Sequence, residues 1–126
     1  MNMILAVAAG GALGALTRYG LGHISMRLWG SAFPYGTLIA NVLGGFLMGV
    51  IVELFALKLD GSATLRAFLA VGLLGGFTTF SSYSLEVVLM IERGQHLMAG
   101  LYAGGSAILA ITALFCGLFL MRWGLT

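Results

Sequence analysis

Charge is the scarcest ingredient of this chain. Only 8% of its 126 residues are Asp, Glu, Lys or Arg, against about 25% in soluble domains. With 60% hydrophobic residues and a mean hydropathy of +1.07, there is no material for a separate water-soluble domain. The formal net charge is +2, and no basic run exists, which excludes nucleic acid as a partner. A single cysteine, Cys116, excludes an intrachain disulfide framework and a cysteine metal site. In its apolar stretch it reads as a small hydrophobe. Enzyme signatures are missing too. There is no His-Glu zinc motif, no phosphate-cradling glycine loop with lysine, and no GxSxG elbow. His23 and His96 fall at predicted helix ends, and nothing pairs a nucleophile with a base.

What is present is a set of four apolar stretches, each near the roughly 20 residues that a membrane span requires. They cover residues 3–23, 33–57, 65–91 and 96–123, the second opened by Pro34, the only proline. The breaks SMRLWGS, KLDGSAT and ERGQ are short and polar. Lipid cannot satisfy backbone groups, so each stretch is predicted to be helical. Trp29 and Trp123 fall at predicted span ends, where interfacial aromatics belong. The first stretch continues into GGALGALTRYG without a cleavage pattern and reads as a retained span. The chain reads as one four-helix unit over residues 1–126.

Four spans put both termini on one side of the membrane. That side would carry Lys58, Arg66 and Arg122, and the other Arg27 and Arg93, with Arg18 if it reaches the interface. Lys and Arg bias normally fixes orientation; here it favours neither side. A chain that inserts both ways and pairs head to tail would show this balance, and so would one oriented by other signals. The 20 glycines, in runs such as GGALGA, GGFLMG and GLLGG, allow close helix approach. Four short helices have little interior of their own, so self-association is expected.

An ionisable or polar group within a span is costly, and usually faces a partner or water. Arg18 suits a snorkelling or structural cation, or an anion attractor at a pore mouth. Asn41 offers two donors and an acceptor, for an interhelical bond or for a passing anion. Glu53 suits an interfacial charge. In the segment GLLGGFTTFSSYSLE, Gly75 and Gly76 weaken the helix, each by about 1 kcal/mol relative to alanine. A break there would free carbonyls, which survive at membrane depth only if buried in protein, facing water or bound to a cation. Beyond it Phe80 and Tyr83 share one helical face, and Ser82 and Glu86 another. Tyr102 and Ser106 form a polar stripe on the last span, while Ala110, the next position, is apolar.

Taken together, GGALGALTRY, PYGTLIANVLGGFLMG and GLLGGFTTFSSYSLE resemble the Fluc family of fluoride channels, also called CrcB, over nearly the whole chain. The resemblance implies an all-α membrane protein of four transmembrane helices per subunit, the third broken near residues 75–79. It implies an antiparallel, dual-topology homodimer in the bacterial inner membrane, with two pores that let fluoride leave the cell passively. It implies a structural sodium ion at the dimer centre, on the carbonyls of Gly75 and Thr78. Along the fluoride path it places Arg18, Thr37, Asn41, Phe80, Ser82, Tyr83, Glu86, Tyr102 and Ser106. Ala110 departs from the hydroxyl expected after Ser106, and Tyr83 stands where phenylalanine is frequent. An aromatic ring has a positive edge, so Phe80 and Tyr83 could meet an anion edge-on, and a Tyr83 hydroxyl could also donate.

Two other readings compete. A small multidrug-type exporter also has four spans and dual topology, but needs an acid early in its first span, where this chain has only Arg18. A non-transporting assembly subunit would explain the glycines but not the buried donors.

Overall fold

A computed structural model describes residues 2–57 and 63–125. Four helical spans are long and apolar enough to cross a membrane: Met3–Trp29, Tyr35–Leu57, Ala63–Glu92 and His96–Gly124. Lys58 and part of the KLDGSAT break lie outside the described residues.

The first helix, α1 (Met3–Trp29), starts at Asn2, whose side chain accepts a 2.7 Å bond from the Ile4 amide. It runs six residues beyond the predicted end at 23, so SMRLW is helical. The stop comes at Gly30, which adopts φ 77°, a backbone state that few other residues enter cheaply. Arg18 therefore sits mid-helix, about 16 Å from the helix end at 1.5 Å per residue. His23 also lies within α1, exposed, its ring edge-on to Tyr19 at 4.5 Å. The expected place of His23 at a helix end is thereby corrected.

Pro34 precedes α2 (Tyr35–Leu57) and accepts through its carbonyl from Leu38. The third span has two halves. The first, α3 (residues 63–77), contains a π-helical stretch, Ala67–Leu74, and closes with Gly75–Phe77. The second, α4, is Ser81–Glu92. A tight turn with Gly94 at φ 80° leads to α5 (His96–Leu125).

Glycine sets the packing. A Cβ on Gly14 would strike the Leu73 carbonyl, and one on Gly76 would lie 3.0 Å from the Gly11 Cα, so α1 and α3 run nearly backbone to backbone. The same holds for α2 and α5, where a Cβ on Gly49 would strike the Leu114 carbonyl and one on Gly117 the Phe46 carbonyl. Without a hydrophobic force between helices in lipid, such close van der Waals contact drives association. A small core closes the α4–α5 end: Met90, Ala99 and Tyr102 are buried, with Phe33, Leu38, Tyr83 and Val87 packed around them. Many large apolar side chains face outward, such as Leu16, Leu97, Ile108 and Trp123, as lipid-facing helices require.

Glu53 is not a solvated interfacial charge. It is buried, and its two carboxylate oxygens accept from Arg122 Nε and Nη2 at 3.1 Å each, tying α2 to α5.

Candidate functional site

The glycine pair does not break the third span. Gly75 and Gly76 are helical, and the backbone opens just after them, at Thr78 (φ −86°, ψ 160°) through Phe80, so the interruption does fall near the expected residues 75–79. The cause is a set of hydrogen bonds that replaces the helical ladder. Asn41 on α2 accepts from the Thr79 amide at 2.9 Å and donates to the Thr79 carbonyl at 3.1 Å. The Thr79 hydroxyl accepts from the Ser82 amide at 3.1 Å, capping α4. In a continuous helix the Thr79 amide would serve the Gly75 carbonyl and the Ser82 amide would serve the Thr78 carbonyl. Both donors are diverted, so both carbonyls lose their helical partners. The neighbouring Gly76 carbonyl accepts instead from Arg18 Nε at 3.3 Å. Arg18 thereby bridges α1 to the break, half-buried, and does not merely snorkel.

Beside the break is a cavity of about 490 Å³. Asn41, Thr78, Thr79, Phe80, Tyr83 and Ser106 line it together with small or apolar residues of α2 and α5, among them Gly45, Ala107 and Ala110. Asn41 retains one amide hydrogen beyond its bond to Thr79. Ser106 Oγ is buried and, within the described residues, is the one such side-chain polar atom without a hydrogen-bond partner. An orphaned hydroxyl of this kind costs about 1–3 kcal/mol unless something in the cavity bonds to it. Phe80, at the mouth of the break, is 78% exposed.

An aromatic row leads away from the cavity. Phe80 and Tyr83 have ring centroids 5.6 Å apart, Tyr83 and Tyr102 5.5 Å, and Tyr102 and Phe33 5.4 Å. The Tyr83 hydroxyl, expected as a donor to an ion, donates to the Ala103 carbonyl on α5 at 2.5 Å. At the far end Glu86 accepts from Thr37 at 3.0 Å and from the Tyr102 hydroxyl at 3.0 Å. A second cavity of about 220 Å³ lies beyond, lined by Thr37, Glu86, Ser25 and Arg93. Arg18 and Thr37 also line a third, of about 230 Å³.

The structure thus brings Asn41, Phe80, Tyr83 and Ser106 to one cavity, and Thr37, Glu86 and Tyr102 to one hydrogen-bonded cluster. Ser82 lines none of the three cavities; only its backbone joins the network, through Thr79. Sequence reading missed the role of Thr79. Its polar neighbours were the available signal, but its partner Asn41 is 38 residues away.

A family model described as CrcB-like protein, Camphor Resistance (CrcB), matches residues 5–118. A protein of Phenylobacterium zucineum named "Fluoride-specific ion channel FluC" is 54% identical over 123 residues, 97% of each chain. Proteins of the same name from Caulobacter vibrioides and Rhizobium johnstonii are 50% and 48% identical, the matches covering 97% of this chain and 97% and 98% of theirs. Agreement of this length, running through both halves of the interrupted third span, makes this chain a member of the CrcB family.

Proposed function

We propose that the protein is a fluoride channel that lets fluoride leave the cell passively across the bacterial inner membrane. Homologues named fluoride-specific channels, at about half identity over nearly the whole chain, support the substrate. One observation carries the mechanism: the unpartnered Ser106 hydroxyl opens into a cavity that also holds Asn41 and the Phe80 and Tyr83 rings. Fluoride is small and strongly hydrated, so a path through lipid must replace its water with donors. Ser106 and the spare Asn41 amide hydrogen supply N–H and O–H, and the rings supply positive edges. Each site is modest, which suits an ion that must also leave. The Thr37 and Tyr102 hydroxyls, both committed to Glu86, stand at the far end of this row.

The working unit is an antiparallel homodimer with two pores. The balanced Lys and Arg counts support insertion both ways, and the outward exposure of Phe80 and Gly75 supports a second copy against the break. Among the described residues no cluster of His, Cys, Asp or Glu could hold a metal ion. A structural cation would instead use backbone oxygen, and the carbonyls of Gly75 and Thr78, stripped of their helical donors, fit a hard ion such as sodium. Such an ion would neutralise carbonyl dipoles at membrane depth and tie two copies together; Arg18 already serves Gly76 next door.

Fluoride efflux from liposomes holding the purified protein, with chloride as control, tests this reading. Rapid fluoride release with chloride retained is expected. Vesicles as tight to fluoride as empty ones would end it. The early acid of a proton-coupled exporter is absent from α1, and the buried donors have no use in a passive assembly subunit.

A further inference from the structure

We infer that the second cavity is the outer mouth of the ion path, and that Arg93 at its rim is a positioning residue that draws fluoride past the Glu86 carboxylate. This inference rests on the fluoride-channel reading above. The aromatic row links the two cavities. Phe80 and Tyr83 line the first, and Phe33, at the other end of the row, lines the second. The lining then passes from half-buried Thr37 and Glu86 to exposed Ser31 and Arg93, which stand where the chain leaves α1 and α4. A path that starts at the break thus reaches the edge of the bundle here.

Glu86 sets a problem for an anion at this point. An ionised carboxylate repels an anion that passes it. The two groups that bond to it, the Thr37 and Tyr102 hydroxyls, are neutral, and among the described residues no cation pairs with it. The other charged side chain in the lining is Arg93. It lies seven residues on, two helical turns along the same face, about 10 Å further out at 1.5 Å per residue.

The fold does not need the Arg93 guanidinium. An arginine at a helix end can serve the last carbonyls. Here the carbonyls of Leu89, Met90 and Ile91 already accept from the backbone amides of Arg93, Gln95 and Gly94. Among the described residues the Arg93 side chain makes no hydrogen bond or ion pair. Its charge is left to act on what enters the cavity. A cation over a cleft with low-dielectric walls raises the local concentration of anions. At low fluoride, capture at the mouth limits the rate, so this charge should set the flux.

The test is fluoride efflux from liposomes holding the full-length protein, at low fluoride and two ionic strengths set with potassium isethionate. At about 0.01 M charges act over about 30 Å, and at about 1 M over about 3 Å. Arg93→Gln should slow efflux about threefold at low salt, and Arg93→Glu about tenfold, with both deficits gone at high salt. Arg93→Lys, which returns the charge, should restore most of the rate. Arg27→Gln removes a positive charge from the same side of the membrane but lines none of the three cavities. It should keep the wild-type rate at both salts, and it controls for any change in how the chain inserts. Wild-type rates in Arg93→Gln and Arg93→Glu at low salt would overturn the inference. So would a deficit that persists at high salt, or one that Arg27→Gln shares. If the wild-type protein passes no fluoride at either salt, the channel reading itself fails and the mouth falls with it.

Discussion

Asn41 and Thr79 exchange two hydrogen bonds across the α2–α4 boundary, amide to amide in both directions, at 2.9 and 3.1 Å. The side chain of one residue thus takes the place of a helical turn for the other. Every later feature of the site follows from this exchange. It opens the backbone at residues 78–80, releases the Gly75 carbonyl from its helical donor, and sets the Thr79 hydroxyl where it caps α4. It also fixes Asn41 at the cavity wall with one hydrogen to spare.

Asn41→Ala should therefore damage structure and transport together. It orphans a half-buried N–H and C=O on Thr79, at about 1–3 kcal/mol each. A clear fall in melting temperature in detergent is expected, along with near-complete loss of fluoride efflux. In Asn41→Asp a carboxylate still accepts from the Thr79 amide but has no hydrogen for the Thr79 carbonyl or for an anion, and it sets an unpaired charge within the span, so efflux should collapse and stability should fall as well. Equal melting temperatures for Asn41→Ala and wild type would refute the structural half of this account.

Much of the fold was legible in the sequence, because lipid leaves the backbone few options. Four apolar stretches of span length became four helices, with Pro34 and Gly94 at turns. The errors share one physical origin: local rules saw residues but not partners. Helix weakness at Gly75 and Gly76 suggested a break there, yet both glycines are helical, Gly76 packed against α1 at Gly11, and the opening sits where Asn41 reaches. The π-helical stretch Ala67–Leu74 has no compositional mark. The first helix overran its predicted end because SMRLW, though polar at its margins, contains no breaker before Gly30. Glu53 looked interfacial because Arg122, 69 residues on, was invisible to it. That Asn41, Phe80, Tyr83 and Ser106 belong together at one cavity was nameable in advance from the family motifs. The commitment of the Tyr83 hydroxyl to a carbonyl was not.

The Glu53–Arg122 pair should respond asymmetrically. Arg122 is about half exposed and stacks over Phe119, 5.2 Å from its centroid, while Glu53 is buried. Arg122→Leu strands a buried carboxylate, whereas Glu53→Leu leaves an arginine that can turn toward the interface. Thermal melts should rank Arg122→Leu well below Glu53→Leu, and the double variant should recover part of the loss. Chloride rejection should remain intact in all three. The reverse order of melting temperatures would show that the pair is not desolvated as described.

Glycine positions divide into two classes that measurement can separate. A Cβ at Gly49 meets the Leu114 backbone, which cannot step aside without moving α5. Gly49→Val should abolish assembly, read as loss of the folded species on size exclusion. At Gly104, also mid-helix, nothing lies within 4 Å of an added Cβ in the isolated subunit. Gly104→Ala should then raise stability by up to about 1 kcal/mol through helix propensity alone. Destabilisation there would mean that a second copy of the chain occupies the space, which locates part of the dimer contact on α5.

Phe80 carries the most direct test of ring-edge recognition. It lies at the open backbone, is 78% exposed on its own subunit, and still lines the cavity with Asn41 and Ser106. Phe80→Ile keeps apolar bulk at that point and removes the aromatic quadrupole. If fluoride is met by the positive rim of the ring, flux should fall by about tenfold or more, the factor that a loss of about 1.4 kcal/mol produces. The melting temperature should change little, since isoleucine keeps apolar bulk wherever the ring packs, within the subunit or against a second copy. Phe80→Tyr keeps the rim and should retain most of the flux. Fluoride efflux from liposomes, measured for all three proteins at matched reconstitution density, decides the matter. Equal rates for Phe80→Ile and wild type would show that the ring only fills space, and the donors Asn41 and Ser106 would then have to carry the ion alone.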